Sequence, residues 1–424
     1  MTRTVHPSGS GTGAVDSGTG SPTGDGRVIQ YTILALFAAY AILHAVYMAG
    51  SLPGGIYYVS FALLLCGAAA RVGWLVVIRR RTTREIHFLH SFLVLVAAST
   101  VLVAISWIRE FATIEAFTWT SAGQVFYILG PALIALCVVN TATNSQLDIY
   151  VIILLARYVL YFVLAFSSDF SLSSLNEISW SSSSSPFESS FAHDLLVVEA
   201  YFVFRNRRVL ATVAAGMTML SLKRASFVLA PVMIVGGRWL RSDSRPSRKY
   251  LLALGTVGVL SPFAVMYVYS PEFVQYAYTR FGVDVNTVTT GRLEIYRVAT
   301  GLLQQSTGFG SLNPMLMELV DNQFGTRWNS QLHNDTLRVY LEVGLLGVAS
   351  YVGALVYLGR SSRIASLLIT YTFFVLITSR LITHTSYWVV LFLVLACIER
   401  WIHAQRTATR SVERSGLTDG VAQR

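Results

Sequence analysis

The feature that most constrains this chain is a succession of long apolar runs, many close to the length a helix needs to cross a bilayer. A span takes roughly 20 predominantly apolar residues. The runs fall at 28–49, 56–78, 86–108, 122–140, 148–166, 193–204, 209–222, 225–240, 250–269, 336–358, 364–382 and 385–402. The expected fold is therefore all-α, a polytopic integral membrane protein of about 12 transmembrane helices with one large outer loop. The sixth to eighth runs are short, and the sixth carries Asp194 and Glu199, which makes this stretch the weakest part of the pattern.

Composition agrees. Of the 424 residues, 54% are apolar and 13% charged, against roughly 25% charged in soluble domains. One soluble core could not hide that much apolar surface, so a soluble enzyme, a disordered scaffold and a disulfide-stapled secreted domain are excluded. The three cysteines, Cys66, Cys137 and Cys397, all lie within apolar runs and read as small hydrophobes. The net charge of +10 sits in short basic clusters between the runs. Such clusters mark positive-inside loops, and no nucleic-acid partner is expected.

With the N-terminus in the cytoplasm, strict alternation puts every basic cluster inside. These are Arg79, Arg80, Arg81 and Arg84; Arg205, Arg207 and Arg208; Arg241, Arg245, Arg248 and Lys249; Arg360 and Arg363; and the C-terminal arginines. Residues 1–27, rich in Gly, Ser and Thr, read as a disordered cytoplasmic tail, and 403–424 as a second tail. Residues 28–269 hold spans one to nine, interrupted by a Ser-rich outer loop at 167–192, and 336–402 hold the last three. Between them lies 270–335, a large extracytoplasmic loop in which function is expected.

Ionisable residues inside spans are functional suspects. Arg71 can snorkel to the inner interface; Glu199 can pair with a neighbouring Arg or line a polar cavity. Lys223 and Arg224 form the outer turn between the seventh and eighth spans, and two cations there run against the positive-inside trend. An anionic headgroup or phosphate is their natural partner. In Thr289-Thr290-Gly291-Arg292, Thr290 or Gly291 can cap a helix running to about Gln305, with Arg292 in its first turn and Arg297 further along. A guanidinium at a helix N-terminus makes a phosphate clamp. Gly308 and Gly310 punctuate a turn or a backbone cradle. His333 and Asn334 close the loop at the outer boundary, and an imidazole there can take a proton or donate to phosphate. His87 and His90 lack a third ligand, so no metal site is expected.

Arg224 at an outer hairpin, Gly291-Arg292 in the large loop, Gly308-x-Gly310, and His333-Asn334 before a Gly344-Leu-Leu-Gly347 span together resemble the O-antigen ligase and O-antigen polymerase family of polytopic glycosyltransferases. The resemblance runs from roughly 209 to 358, with Lys223 standing where that family commonly has Ser. It implies transfer of a glycan from undecaprenyl diphosphate to an acceptor hydroxyl at the outer face of the cytoplasmic membrane. The implied catalytic residues are His333, Arg292 and Arg224; Lys223, Arg297, Gly308, Gly310 and Asn334 are the implied substrate-binding set. Partners are the lipid-linked glycan donor, a glycan acceptor, the bilayer and a chain-length regulator. No cofactor is implied; no outer carboxylate cluster suits Mg²⁺, so metal-independent transfer is expected, and direct displacement would invert the anomeric centre. A polymerase joining lipid-linked repeats is favoured over a ligase delivering finished glycan. A secondary transporter or lipid flippase is the remaining alternative, but it should carry polar residues at the midplane and internal repeats.

Overall fold

In the computed structural model of the chain, the residues described are 24–78, 85–114, 119–166, 191–221, 224–240, 244–288, 293–302, 308–324 and 332–421. Every element among them is a helix. The first five are α1 (Gly24–Met48), α2 (Gly54–Gly73, continued by a π-helical turn Trp74–Ile78), α3 (Leu89–Ile114), α4 (Thr120–Thr141) and α5 (Asn144–Phe166). Three short helices follow: α6 (Phe191–Phe204), α7 (Arg208–Leu220) and α8 (Arg224–Val235), then a single turn α9 (Gly237–Leu240). After α10 (Arg248–Val268) come the loop helices α11 (Pro271–Phe281), α12 (Val285–Val288), α13 (Leu293–Gly301) and α14 (Leu312–Phe324). The chain closes with α15 (Asp335–Gly359), α16 (Arg363–Thr378) and α17 (Thr385–Val421).

Eight of these helices are long and apolar enough to cross a bilayer: α1 to α5, α10, α15 and α17. The other four expected spans are helices of 14, 13, 12 and 16 residues (α6, α7, α8 and α16). At 1.5 Å per residue they extend about 18–24 Å, short of the ~30 Å hydrocarbon core. The packing explains why α6 needs no lipid-facing stripe. Every residue from Phe191 to Phe204 except His193 is buried, and α6 is enclosed by α5, α7, α8 and α17. Two expectations about the tails meet differences. Residues 24–27 already belong to α1, and α17 continues as helix well beyond residue 402. Residues 1–23, and the Ser-rich loop up to 190, lie outside the described residues.

Basic residues cluster at one end of the bundle. There, Arg205 and Arg207 bind Asp148 at 3.1 and 3.0 Å, and Arg205 lies over the Trp401 ring. Arg400 donates to the carbonyls of Val139 and Ala142, the C-terminal end of α4. Arg245, Arg360 and Arg406 line one cavity at this end with Glu399 and His403. The opposite end gathers the starts of α6, α8, α15 and α17. Glu199, inside α6, is fully buried, and neither carboxylate oxygen is hydrogen-bonded among the described residues. It forms no ion pair with an Arg among the described residues. Arg71 stacks over Trp74 at 4.5 Å.

The stretch expected as a large outer loop folds as a helical cap. Ser270 caps α11 by accepting from Phe273 N–H, Pro271 sits in the first turn, and Gly282 ends it at φ 63°. Asp284 turns the chain into α12. The Thr287 hydroxyl and the Asn286 amide hold its carboxyl below the usual carboxylate range. The cap has its own core, in which Ile295, Tyr296, Ala299 and Leu302 of the α13 region meet Leu312, Leu316 and Leu332 against Leu337 and Leu341 of α15. Burying each such leucine is worth roughly 1.5–3 kcal/mol, which fixes the cap to the start of α15.

Candidate active site

The start of α15 organises the rim. Asn334 is its N-cap: its carboxamide oxygen accepts from Leu337 N–H at 2.7 Å and from the Thr336 hydroxyl at 2.9 Å. Its Nδ2 donates to the Ile377 carbonyl at 2.7 Å, near the end of α16. Asp335 then reaches the turn between α16 and α17, where one oxygen accepts the N–H groups of Leu381 and Ile382. The Trp388 indole N–H donates to the carbonyls of the same two residues. Residues 379–384 are thus clamped from both sides. This turn carries Arg380, which is half-buried and has no carboxylate within 4 Å among the described residues.

One turn below, Arg338 is about 1% exposed. It donates to Glu342 at 3.1 Å and to the Gln124 carboxamide oxygen of α4 at 3.2 Å, with Asp335 at 3.9 Å. A buried ion network of this kind positions its members; broken on one side, it costs several kcal/mol. Glu342 also accepts from Leu312 N–H at 3.0 Å, tying α14 to α15.

The Gly308–Gly310 turn enters this network from the cap. Phe309 N–H donates to Ser106 Oγ at 2.9 Å, and Ser311 Oγ both accepts from Gly308 N–H and donates to its carbonyl. Gly310 has φ 97°, and a Cβ built there would lie 2.3 Å from Gln124 Cγ. At Gly308 a Cβ would lie 2.8 Å from Ser106 Cβ. Both glycines are buried. Close approach to α3 and α4 accounts for them, so of the two expectations the tight turn is the one the geometry supports.

His333 is half-buried, and its carbonyl accepts from the Tyr296 hydroxyl at 3.2 Å. Tyr296 stacks on Tyr269 with ring centroids 3.9 Å apart. That contact brings α13 to the His333 turn. Arg297 is exposed on α13. Arg292 lies outside the described residues, one position before the described start of α13, and Lys223 lies outside them too. The expected helix from Thr290 to about Gln305 is described only as Leu293–Gly301. Arg224 opens α8, though only its backbone is described. Two residues on, Ser226 Oγ bonds the Tyr371 hydroxyl of α16 at 2.6 Å, and Tyr371 also bonds His193 at 2.6 Å. Tyr371 and Ile377 are about 9 Å apart along α16 at 1.5 Å per residue, so one helix ties the Arg224 end of α8 to the His333 turn.

Beside this rim opens a cavity of about 620 Å³ lined by α10, the end of α16, Tyr269, Tyr296 and Asn334. Its walls are apolar, with Val257, Leu260, Val265 and Ile377 among them, and Val257 and Leu260 lie on the exposed flank of α10. The arrangement suits an amphiphile: an apolar flank for a chain, and a rim with imidazole and guanidinium for a charged head. Sequence reasoning did not single out Arg380 or Tyr296, which the structure places at this rim. A lone cation in the short turn between the last two apolar runs was the available signal for the first, as the turn before the eighth run was for Arg224.

A helical bundle with eight helices long and apolar enough to cross a bilayer, and a helical cap at one end, is the architecture of a polytopic membrane protein. Residues 209–352, from α7 to the middle of α15, match the model of the O-antigen ligase family. The chain carries this family's domain and is a membrane glycan-processing enzyme. No curated protein matches it.

Proposed function

We propose that the protein polymerises polyprenyl-diphosphate-linked oligosaccharide repeats into a surface polysaccharide at the outer face of the cytoplasmic membrane. The observation that carries this reading is the apolar cavity on the flank of α10 meeting the His333 rim at Asn334 and Tyr296. A lipid-linked donor has that shape, with a hydrocarbon chain for the flank and a diphosphate for the rim. The acceptor hydroxyl oxygen attacks the anomeric carbon, forming the new C–O bond. The bond from that carbon to the diphosphate oxygen breaks, and polyprenyl diphosphate leaves with the electron pair, inverting the centre. Negative charge grows on the leaving group, so Arg224 and Arg292, the family's cations, stabilise the transition state more than the ground state.

Two roles fit His333. As general base it takes the acceptor proton, and kcat/KM falls as the imidazole becomes protonated at low pH. As a protonated donor to diphosphate it gives the opposite slope. A second reading, a ligase that transfers finished glycan to a lipid or protein acceptor, is supported by the description of the matched family.

The test is a size profile of lipid-linked and surface glycan. Cells lacking the protein are compared with cells carrying wild type, His333→Ala, Arg224→Ala or Arg292→Ala. Single repeats accumulating on the lipid support the polymerase; full-length polymer stranded on the lipid supports the ligase. An unchanged ladder with normal delivery overturns both.

A further inference from the structure

We propose that Arg380, in the turn between α16 and α17, is a further anion-binding residue of this site and holds the diphosphate of the lipid-linked donor beside His333. The inference rests on the reading of the site as a lipid-diphosphate transferase, and Arg380 lies beyond the matched family segment.

Its position is set by the residues that follow His333. Asn334 holds the Ile377 carbonyl three residues before Arg380, and Asp335 holds the amides of the two residues after it. Trp388 fixes the same turn from the other side. A loop cation is ordinarily mobile in water; this one is strapped to the His333-Asn334-Asp335 segment by backbone bonds on both flanks. Arg380 therefore keeps a fixed relation to His333 whatever its own side chain does.

Its charge is poorly compensated within the protein. The side chain is half-buried, so it has lost part of its hydration. Asp335 is the carboxylate on the neighbouring helix, but one oxygen is committed to Leu381 and Ile382, while the other faces Arg338 at 3.9 Å. The Arg338 charge opposes that of Arg380. No hydrogen bond to the Arg380 guanidinium is formed among the described residues. A planar fork in this setting is matched by a phosphate, which accepts two parallel N–H bonds.

The cavity supplies the direction of approach. Ile377 and Thr378, which line it, lead directly into the turn that bears Arg380. A chain lying along α10 and α16 would bring its phosphate end to that turn. Of the diphosphate's charges, those on the departing group grow during transfer, so Arg380 contributes to kcat as well as to donor binding.

The experiment measures binding of polyprenyl diphosphate, the leaving group, to the purified full chain in detergent, alongside glycan transfer. Arg380→Gln is compared with wild type, with Arg380→Lys, and with Arg280→Gln, which removes a like charge from the exposed surface of α11. We expect Arg380→Gln to weaken polyprenyl diphosphate binding about ten- to a hundredfold and to slow transfer, with unchanged thermal stability. Arg380→Lys should recover part of the binding, and Arg280→Gln should match wild type. Wild-type binding by Arg380→Gln, with transfer intact, overturns the assignment of Arg380 and leaves the proposed function standing. Equal weakening in Arg280→Gln means a bulk charge effect and overturns it too. If the wild-type chain neither transfers glycan nor binds polyprenyl diphosphate, the proposed function falls and takes the Arg380 assignment with it.

Discussion

His333 and Asn334 are adjacent, and under the proposed function their side chains do different work. The Asn334 amide is taken up by α15 and α16, with its oxygen bonded to Leu337 and Thr336 and its nitrogen to Ile377. Asn334→Ala should therefore lower stability by about 1–2 kcal/mol, the usual worth of an N-cap, and reduce transfer through misplacement. His333→Ala should leave the melting temperature near wild type and reduce transfer by 10²–10⁴-fold, the range for a lost general acid or base. Melting curves and transfer rates on the two variants separate the roles; a large loss of stability in His333→Ala would reassign it to structure. At Gly310, both the positive φ and the 2.3 Å approach to Gln124 oppose any side chain, so Gly310→Ala should cost about 1–3 kcal/mol. The His-Asn pair and the Gly-x-Gly turn were legible as motifs. The partners that give them meaning were not: Gln124, Ser106 and Ile377 are far away in the chain, and nothing in their own neighbourhoods announces the contact.

Among the helices, α15 is the one whose interior departs from its hydropathy. It reads as a continuous apolar run, but Gly344 has φ 74° and ψ −172°, a conformation essentially reserved for glycine. The break leaves carbonyls short of their i+4 amides, and Arg109 of α3 donates to those of Leu341 and Glu342 at 3.3 and 2.7 Å. Gly344→Ala should cost about 1–3 kcal/mol. Arg109→Ala, which strands the two carbonyls, should be destabilising in the same way. A thermal melt of each variant checks this, and a Gly344→Ala protein as stable as wild type would show that the break carries no strain penalty. Periodicity could not reveal it, since a glycine within an apolar run looks the same whether the helix bends or continues. The α6 case is the reverse. Asp194 and Glu199 blurred its apolar signal, although Asp194 is paired with Arg157 at 2.6 Å and the helix is buried on nearly all sides. Burial inside a bundle permits polar residues that lipid would reject.

Across the whole molecule, the segregation of charge was the most legible property. The arginines expected to share one side do so where they are described: Arg205, Arg207, Arg245 and Arg360 all lie at the end opposite His333. If that end is cytoplasmic, single cysteines at Arg280 and Arg245 should label from opposite sides of sealed vesicles. The first should react with a membrane-impermeant reagent from outside and the second only after permeabilisation. The reverse pattern would invert the molecule and move the rim to the cytoplasm. The last apolar helix bears on this in another respect. Trp388, near the start of α17, fastens the turn that Asp335 holds from α15. During synthesis, α15 and its His333 emerge long before Trp388 does. The rim is therefore complete only once α17 has been made, and a nascent chain halted before α17 would carry every motif of the site without its geometry.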